Sequence, residues 1–306
     1  MYKAPTPLPL PAGGGARPLA SLDSHGQRCA SAVRVAGSAG MPPRLGAARR
    51  RGFAFSLALA AGQALATENV AALLKAADGY RLPAESVRVE TNVELYKNDV
   101  LDKERLYTVY VKPGRRSLVL MKSPSEIGQK VLMLADQFWL LMPDSQRPLR
   151  ITASQKLLGE ASTGDIATMT WSDDYDGSVA DEVDCPLPPT GLPDAPAQTK
   201  ARRCLHLDLA QARSGVTYAR VELYLEKASR LPIKADLFVG SGKRAKEAWY
   251  FPKPLDGQLR IMTMVLLDDI QANRRTVIHF RSIVAKAAPD EFFNPAALVR
   301  NSLAGW

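Results

Sequence analysis

Hydrophobic and polar residues alternate along the segment 86–96, SVRVETNVELY. Alternation with a period of two is typical of a β-strand that buries one face and exposes the other. Further strand-like segments follow, separated by short turns rich in Gly, Pro, Asn, Asp and Ser. They cover residues 105–111, 117–121, 131–134, 138–142, 204–209, 218–225, 231–239, 246–251, 260–267 and 275–284.

Helical periodicity is rare beside these roughly ten or eleven strands. A short helix is expected over 67–79, with Thr67 as its N-cap, and others near 163–170 and 289–300. Many strands with little helix between them indicate an antiparallel meander rather than βαβ units. The fold class predicted is mainly β: an incomplete, half-open antiparallel β-barrel with a few short helices as a lid.

The segment 137–151, QFWLLMPDSQRPLRI, does not alternate. Together with VLML at 131–134 it predicts two strands that are apolar on both faces. We therefore expect both strands to be central in the sheet. One face would line the hollow of the barrel, and packed elements would cover the other face.

A half-open barrel needs its hollow filled by side chains, by a helix or by a ligand. If a ligand fills it, the expected lipid-binding residues are Val87, Val89, Val93, Leu95, Leu132, Leu134, Trp139 and Leu141. The methionines Met121, Met133, Met142, Met262 and Met264 would add adaptable contacts. An ordinary packed barrel, in which these side chains form the core, is the alternative that the residues leave open.

The formal net charge is +9, but it is unevenly distributed along the chain. Residues 1–66 hold eight Lys or Arg and one acidic residue, which leaves a net charge of only +2 for residues 67–306. Binding along a nucleic-acid backbone needs clustered positive charge. The charge distribution therefore argues against a nucleic-acid partner.

The positive charge near the N-terminus belongs to a predicted signal peptide at 41–66. Three arginines at 49–51 precede an apolar run from Phe53 to about Ala61, and Ala64-Leu65-Ala66 forms a small-x-small cleavage site. The run is shorter than the roughly 20 residues that span a bilayer, so only peripheral or transient membrane contact is expected. Residues 1–40 are predicted to be disordered or a mis-assigned N-terminal extension. Cleavage near Ala66 would release residues 67–306 as a single periplasmic domain.

Three cysteines occur in the chain, and Cys29 lies before the predicted cleavage site. Cys185 and Cys204 then remain as a pair that flanks a Pro-rich segment. A disulfide is the natural interpretation in an exported protein. A metal site that includes His206 is the alternative, although few other ligands lie nearby.

No motif for catalysis or cofactor binding is present in the sequence. There is no G-x-S-x-G, P-loop or dinucleotide-binding glycine pattern, and no His/Glu pair with metal spacing. The acidic segment 171–184 does not fit an EF-hand loop, and a solvated acidic loop is expected there rather than a calcium site. His206 and His279 are interpreted as structural. We predict no enzymatic activity, no metal and no cofactor.

From about Val87 to Trp306 the chain resembles the outer-membrane lipoprotein-sorting (LolA-like) family of periplasmic carriers. The order of four segments carries the resemblance, at 138–151, 164–175, 204–251 and 288–298. The resemblance implies an incomplete barrel with helices over its concave side. It also implies the transport of acylated lipoproteins or lipids between envelope membranes, without chemistry. The Pro-rich insertion between the cysteines departs from the family.

Two functions are therefore carried forward, and a secreted hydrolase stays a third alternative. The first is a periplasmic carrier that binds acyl chains of lipoproteins or lipids in an apolar cavity, with an inner-membrane transporter of the resistance-nodulation-division (RND) type as a further expected partner. The second is a structural or adaptor β-domain that binds another envelope protein through a sheet edge.

Overall fold

The computed structural model describes residues 69–82, 84–168, 170–196, 201–268 and 273–299. The predictions for residues 1–40, for the signal peptide at 41–66 and for an N-cap at Thr67 lie outside this part of the chain. No helix within the described ranges is long and apolar enough to cross a membrane.

Three helical segments and fifteen strands form within the described ranges. Helix α1 spans Val70–Asp78, α2 spans Thr163–Ala167, and a 3-10 helix spans Asp290–Phe293. The strands are β1 Val87–Lys97, β2 Val100–Lys112, β3 Arg116–Met121, β4 Lys130–Leu134, β5 Gln137–Leu141, β6 Leu149–Ile151, β7 Lys156–Leu158, β8 Ala161–Ser162, β9 Tyr175–Asp184, β10 Arg203–Gln211, β11 Arg220–Glu226, β12 Pro232–Phe238, β13 Arg244–Leu255, β14 Gln258–Asp268 and β15 Arg274–Ala285.

Thirteen of these strands form one antiparallel sheet in the order β6-β5-β4-β3-β2-β1-β15-β14-β13-β12-β11-β10-β9. Strands β7 and β8 pair with each other as a separate ribbon. Because β6 and β9 stand at the two ends of the order, the sheet is not closed into a barrel. This arrangement confirms the predicted mainly-β, half-open antiparallel fold.

Strand β9 was not predicted, because residues 171–184 were interpreted as a solvated acidic loop. The structure shows that Tyr175–Asp184 forms the edge strand beside β10. Most side chains of β9 are exposed on both faces, so no apolar alternation marks the strand in the sequence. The acidic residues protect the open edge of the sheet against pairing with other chains.

Both helices pack against the same face of the sheet, which we call the inner face. Leu74 of α1 and Ile166 of α2 are buried in one cluster with Val89 and Val93 of β1, which we call the inner cluster. Residues at alternate positions along each strand face the opposite, outer side.

Two different sets of residues cover the two faces of the apolar strands β4 and β5. Met133 of β4 and Phe138 of β5 belong to the inner cluster, whereas Leu132, Trp139 and Leu141 belong to a second cluster. That second cluster is completed by residues of the C-terminal segment, Ala288, Phe292, Phe293, Leu298 and Val299. The prediction that both faces of β4 and β5 are covered is therefore confirmed. The prediction that the two strands are central in the sheet is wrong. Strands β4 and β5 lie near an edge, and the C-terminal segment supplies the second cover.

Ion pairs hold the C-terminal segment on this outer face. Asp290 accepts hydrogen bonds from Lys112 at 2.6 Å and from Arg116 at 2.9 Å. Lys130 donates to the carbonyl of Leu298 at 3.0 Å. The predicted C-terminal helix is in fact one short 3-10 helix followed by turns.

The two α-helices begin at different kinds of cap. Asn69 caps α1 by accepting a hydrogen bond from the backbone of Ala71, so the N-cap lies two residues after the predicted Thr67. Ser162 and Asp165 form a reciprocal capping box at the start of α2.

Cys185 and Cys204 form a disulfide that closes a segment with a sequence separation of 19. The chain-entropy model gives about 3 kcal/mol of stabilisation for a loop of this size. Replacing Cys204 by alanine, or reducing the protein, should lower the free energy of unfolding by about that amount in urea titrations. A reduced protein with an unchanged denaturation midpoint would contradict the expectation.

Candidate functional site: two apolar cavities

The first cavity, which we call the helix cavity, has a volume of about 350 Å³. It lies between α1, the segment that follows α2, and the turn that joins β2 to β3. Its apolar wall is formed by Leu82, Ala84, Val111, Met133 and Ala167. Charged residues stand around it, namely Lys75, Asp78, Glu85, Lys112, Arg115, Arg116 and Asp173. A volume of this size lies in the range of about 300–1,000 Å³ that is common for small-molecule sites.

Helix α1 is held over this cavity chiefly at its C-terminal end. The buried carboxylate of Asp78 accepts hydrogen bonds from the backbone N–H groups of Trp171 at 2.7 Å and Ser172 at 2.9 Å. The guanidinium of Arg81 stacks on the indole ring of Trp171, 4.7 Å from its centroid. Burial raises the pKa of Asp78, and the two hydrogen bonds and nearby Arg81 offset part of that shift.

Replacing Asp78 by alanine should loosen α1 without unfolding the sheet. The change leaves two N–H groups without their acceptor, which costs about 1–3 kcal/mol. Amide hydrogens of residues 70–82 should exchange faster, while those of β13 and β14 should keep their protection. Asp144→Ala, in an exposed turn, is the control. If amide exchange accelerates equally throughout the sheet, Asp78 stabilises the whole domain rather than α1 alone.

Helix α2 is fixed to the inner face by a buried ion pair. The ammonium of Lys246 lies 3.0 Å from Asp165, and both side chains are about 5% exposed. Asp165 also accepts hydrogen bonds from the hydroxyl of Tyr218 at 2.7 Å and from the backbone of Ser162 at 2.8 Å. Burial alone would raise the pKa of Asp165, but Lys246 and these hydrogen bonds together hold it below its ordinary value.

A second buried ion pair connects the β2–β3 turn with the segment that follows α2. Arg115 pairs with Asp174, and both side chains are almost fully buried. Arg115 also donates to the carbonyl of Ala135 at 3.2 Å. Arg115 has a positive φ of 56°, which fits its place directly after Gly114 in a tight turn. This pair fixes one wall of the helix cavity.

The second cavity, which we call the loop cavity, has a volume of about 860 Å³. It lies between the Cys-bounded segment 186–196 and strands β12 and β13. Its apolar lining includes Pro188, Leu231, Ile233, Trp249, Phe251 and Leu259. Asp194 holds the segment in place by accepting one hydrogen bond from the hydroxyl of Thr263 at 2.6 Å and by forming an ion pair with Lys253 at 2.8 Å.

The eight predicted lipid-binding residues do not gather around one cavity. The four residues of β1, Val87, Val89, Val93 and Leu95, are buried in the inner cluster. Leu132, Trp139 and Leu141 lie on the outer face beneath the C-terminal segment, and Leu134 is half-buried at the end of β4. None of the eight lines the helix cavity or the loop cavity. Of the predicted methionines, Met133 lines the helix cavity.

Sequence reasoning missed most of the residues that line the two cavities. Leu82 and Ala84 follow α1 in a turn with no apolar periodicity. The aromatic run at 249–251 was identified only as a strand. Only one feature of the sequence pointed to the loop cavity. It is the Pro-rich insertion between Cys185 and Cys204, which interrupts the predicted series of strands.

The histidines of the described strands have structural partners. His206 stacks on the ring of Tyr224 at 4.6 Å and lies 2.8 Å from Asp181. His279 lies 3.2 Å from the hydroxyl of Thr263. Within the described ranges, no group of three or more His, Cys, Asp or Glu side chains is placed to hold a metal ion.

A family model described as "Uncharacterized protein" matches residues 114–300. No curated protein matches the sequence. Among solved structures, the chain is similar to a LolA superfamily protein from Nitrosomonas europaea, with 24% identity and a TM-score of 0.63. That match covers 73% of this chain and 96% of the other.

Two further solved structures share the architecture. A DUF1329 family protein from Desulfovibrio piger has 18% identity and a TM-score of 0.57, and the match covers 74% of this chain and 97% of the other. A domain assigned as an outer membrane lipoprotein-sorting protein, from Vibrio parahaemolyticus, has 16% identity and a TM-score of 0.54, with coverage of 74% and 98%. These likenesses show that the fold is LolA-like.

Proposed function

We propose that the chain is a carrier of hydrocarbon chains in the cell envelope. The proposal starts from its membership of the family matched over residues 114–300 and from its LolA-like fold. The cargo is the acyl part of a lipoprotein or of a lipid. The observation that carries the proposal is the helix cavity, an apolar space of about 350 Å³ closed on one side by a nine-residue helix.

The walls of the helix cavity suit an acyl chain. Each methylene group that leaves water contributes about 0.8 kcal/mol, so even a partly buried chain binds with useful affinity. Met133 adds an adaptable surface to the apolar wall, whose other residues Leu82, Ala84, Val111 and Ala167 are aliphatic. The exposed charged residues around the cavity, Lys75, Glu85 and Asp173, would remain in water beside the polar part of the cargo.

Release of the cargo requires a cover that opens at low cost. Helices shorter than about 12–15 residues are marginal in water, so α1 depends on its contacts with the sheet and the segment at 171–172. Those contacts include a few hydrogen bonds and the buried side chains of Leu73, Leu74 and Ala77. We infer that α1 acts as the lid, while α2 stays fixed by its buried ion pair.

The names of the similar proteins support the same assignment. One is a domain assigned as an outer membrane lipoprotein-sorting protein, and another belongs to the LolA superfamily. The proposal therefore includes export through the signal peptide at 41–66, cleavage near Ala66, and a periplasmic domain of residues 67–306. It includes transport without chemistry and only transient contact with membranes. An RND-type transporter as the partner stays a prediction.

Extraction of the purified protein tests this function. Protein purified from the periplasm without detergent should release lipids or acylated peptides into organic solvent, which mass spectrometry would identify. It should also bind a fluorescent fatty acid that unlabelled palmitate displaces. A protein that carries no lipid and does not bind the probe would contradict the carrier function.

An adaptor function has one observation in its favour. Strand β9 is ten residues long and leaves one edge of the sheet open within the described residues. An extended peptide could add to such an edge, but the acidic side chains of β9 reduce its tendency to pair. Copurification of a protein partner without lipid would favour this second function.

A further inference from the structure

The loop cavity is the larger of the two cavities, and the proposed function does not use it. It is formed by the Cys-bounded insertion at 186–196 together with β12 and β13. The aromatic residues Trp249 and Phe251 line it, together with the aliphatic residues Leu231, Ile233 and Leu259. Its volume of about 860 Å³ lies near the upper end of the range for small-molecule sites.

The charged side chains and the indole N–H around the loop cavity already have partners. Asp194 is paired with Lys253 and Thr263, and Arg202 lies 3.5 Å from Glu226. The indole N–H of Trp249 donates to Glu247 at 3.2 Å. A ligand that buried a polar or charged group here would find no free partner for it among these described side chains, so the loss of its hydration would not be compensated. The chemistry of the walls therefore selects a hydrocarbon.

A shallow groove leads from the loop cavity toward the helix cavity. It is lined by Ala76, Gly79, Tyr80, Ser229, Gln258, Leu259 and Arg260. Gly79 also lines the helix cavity, and Leu259 also lines the loop cavity. Leu259 is 49% exposed, which leaves an apolar side chain in water at the junction of groove and cavity. The groove is more open than either cavity, and Ser229, Gln258 and Arg260 contribute polar groups to its mixed lining.

We propose that the loop cavity is a second hydrocarbon-binding site. A cargo with two chains would place one chain in each cavity, with its polar part across the groove beside Tyr80 and Arg260. This inference rests on the proposed function, because it assigns a second chain to the same cargo. The disulfide and Asp194 keep the insertion in position over the bound chain.

Quenching by a brominated fatty acid tests the second site, because bromine quenches only a nearby indole. Wild-type protein should bind two molecules of dibromostearate, measured by native mass spectrometry, with loss of tryptophan fluorescence. Trp249→Phe should remove a large part of the quenchable signal. Leu259→Asp places a charge at the mouth of the loop cavity and should weaken that binding at least tenfold. The control is Leu149→Asp, at a leucine on β6 that is 56% exposed and lines neither cavity. It should leave the number of bound molecules, their affinity and the quenching unchanged.

A variant of the helix cavity distinguishes binding at the two sites. Ala84→Phe narrows the helix cavity and should leave one bound molecule that still quenches Trp249. The inference is overturned if Leu259→Asp binds dibromostearate with wild-type affinity and Trp249→Phe keeps the wild-type extent of quenching. It is also overturned if the fluorescence of Trp249 is not quenched at all. If Ala84→Phe still binds two molecules of dibromostearate, the result contradicts the proposed function of the helix cavity. It does not contradict the second site, which is tested by Leu259→Asp and Trp249→Phe.

Discussion

Replacing Lys246 by methionine should lower the free energy of unfolding by about 3–5 kcal/mol, because the change leaves the buried carboxylate of Asp165 without its cation. Both side chains are almost fully buried, so water cannot take the place of the missing partner. Methionine has a similar length, and the loss of packing should be small. Urea denaturation followed by circular dichroism measures the effect.

The matched control for this substitution is Lys227→Met. Lys227 pairs with Glu182 at 2.6 Å, but both side chains are well exposed, and such pairs contribute about 0–1 kcal/mol. A double variant, Lys246→Met with Asp165→Asn, should be clearly less destabilised than the sum of its two single variants. Additive effects would show that the two residues do not stabilise each other.

The pH dependence of stability gives an independent check on the same pair. The pKa of Asp165 is lowered in the folded protein, so the pair contributes fully at pH values above the ordinary aspartate range. That contribution is lost as the pH falls through the lowered pKa. Without Lys246, protonation of Asp165 relieves the buried charge. The stability difference between wild type and Lys246→Met should therefore shrink as the pH falls, first where the unpaired, buried Asp165 of the variant takes up a proton and then through the lowered pKa of Asp165 in wild type.

Replacing Ala84 by phenylalanine should weaken the binding of a fluorescent fatty acid about tenfold or more. Ala84 is half-buried and lines the helix cavity, so the added ring occupies space that the chain would fill. Exclusion of about two methylene groups costs about 1.6 kcal/mol, which corresponds to a factor of more than ten in affinity. Titration of the probe in the disulfide-bonded protein measures the change.

The control for the cavity variant is Ala296→Phe, which adds the same ring at an exposed position that lines neither cavity. Its affinity for the probe should equal that of wild type, and both variants should keep the wild-type melting temperature within a few degrees. An unchanged affinity in Ala84→Phe would show that acyl chains bind elsewhere.

Much of the fold could be predicted from the chain because the strands with one buried face alternate clearly. Val87, Val89, Val93 and Leu95 mark β1 in this way, and all four are buried. Strand β9 could not be found by the same rule, since an edge strand with two wet faces has no apolar alternation. The disulfide between Cys185 and Cys204 was predicted correctly, because the predicted cleavage of a signal peptide leaves only these two cysteines to pair.

The positions of the candidate site residues could not be predicted in the same way. Leu132 and Met133 are adjacent and equally apolar, yet they face opposite sides of the sheet. A shift of one residue inverts every such assignment. The cover on the outer face comes from Phe292 and Phe293, which lie about 150 residues away in sequence, and periodicity within a strand carries no information on such distant contacts.

Crystals of the protein grown with a brominated fatty acid test the central claim, that the helix cavity holds a hydrocarbon chain, most directly. Anomalous scattering should place bromine within contact distance of Met133 and Val111, beneath α1. Bromine found only on the surface, with the side chains around Met133 closed into a solid interior, would contradict the claim.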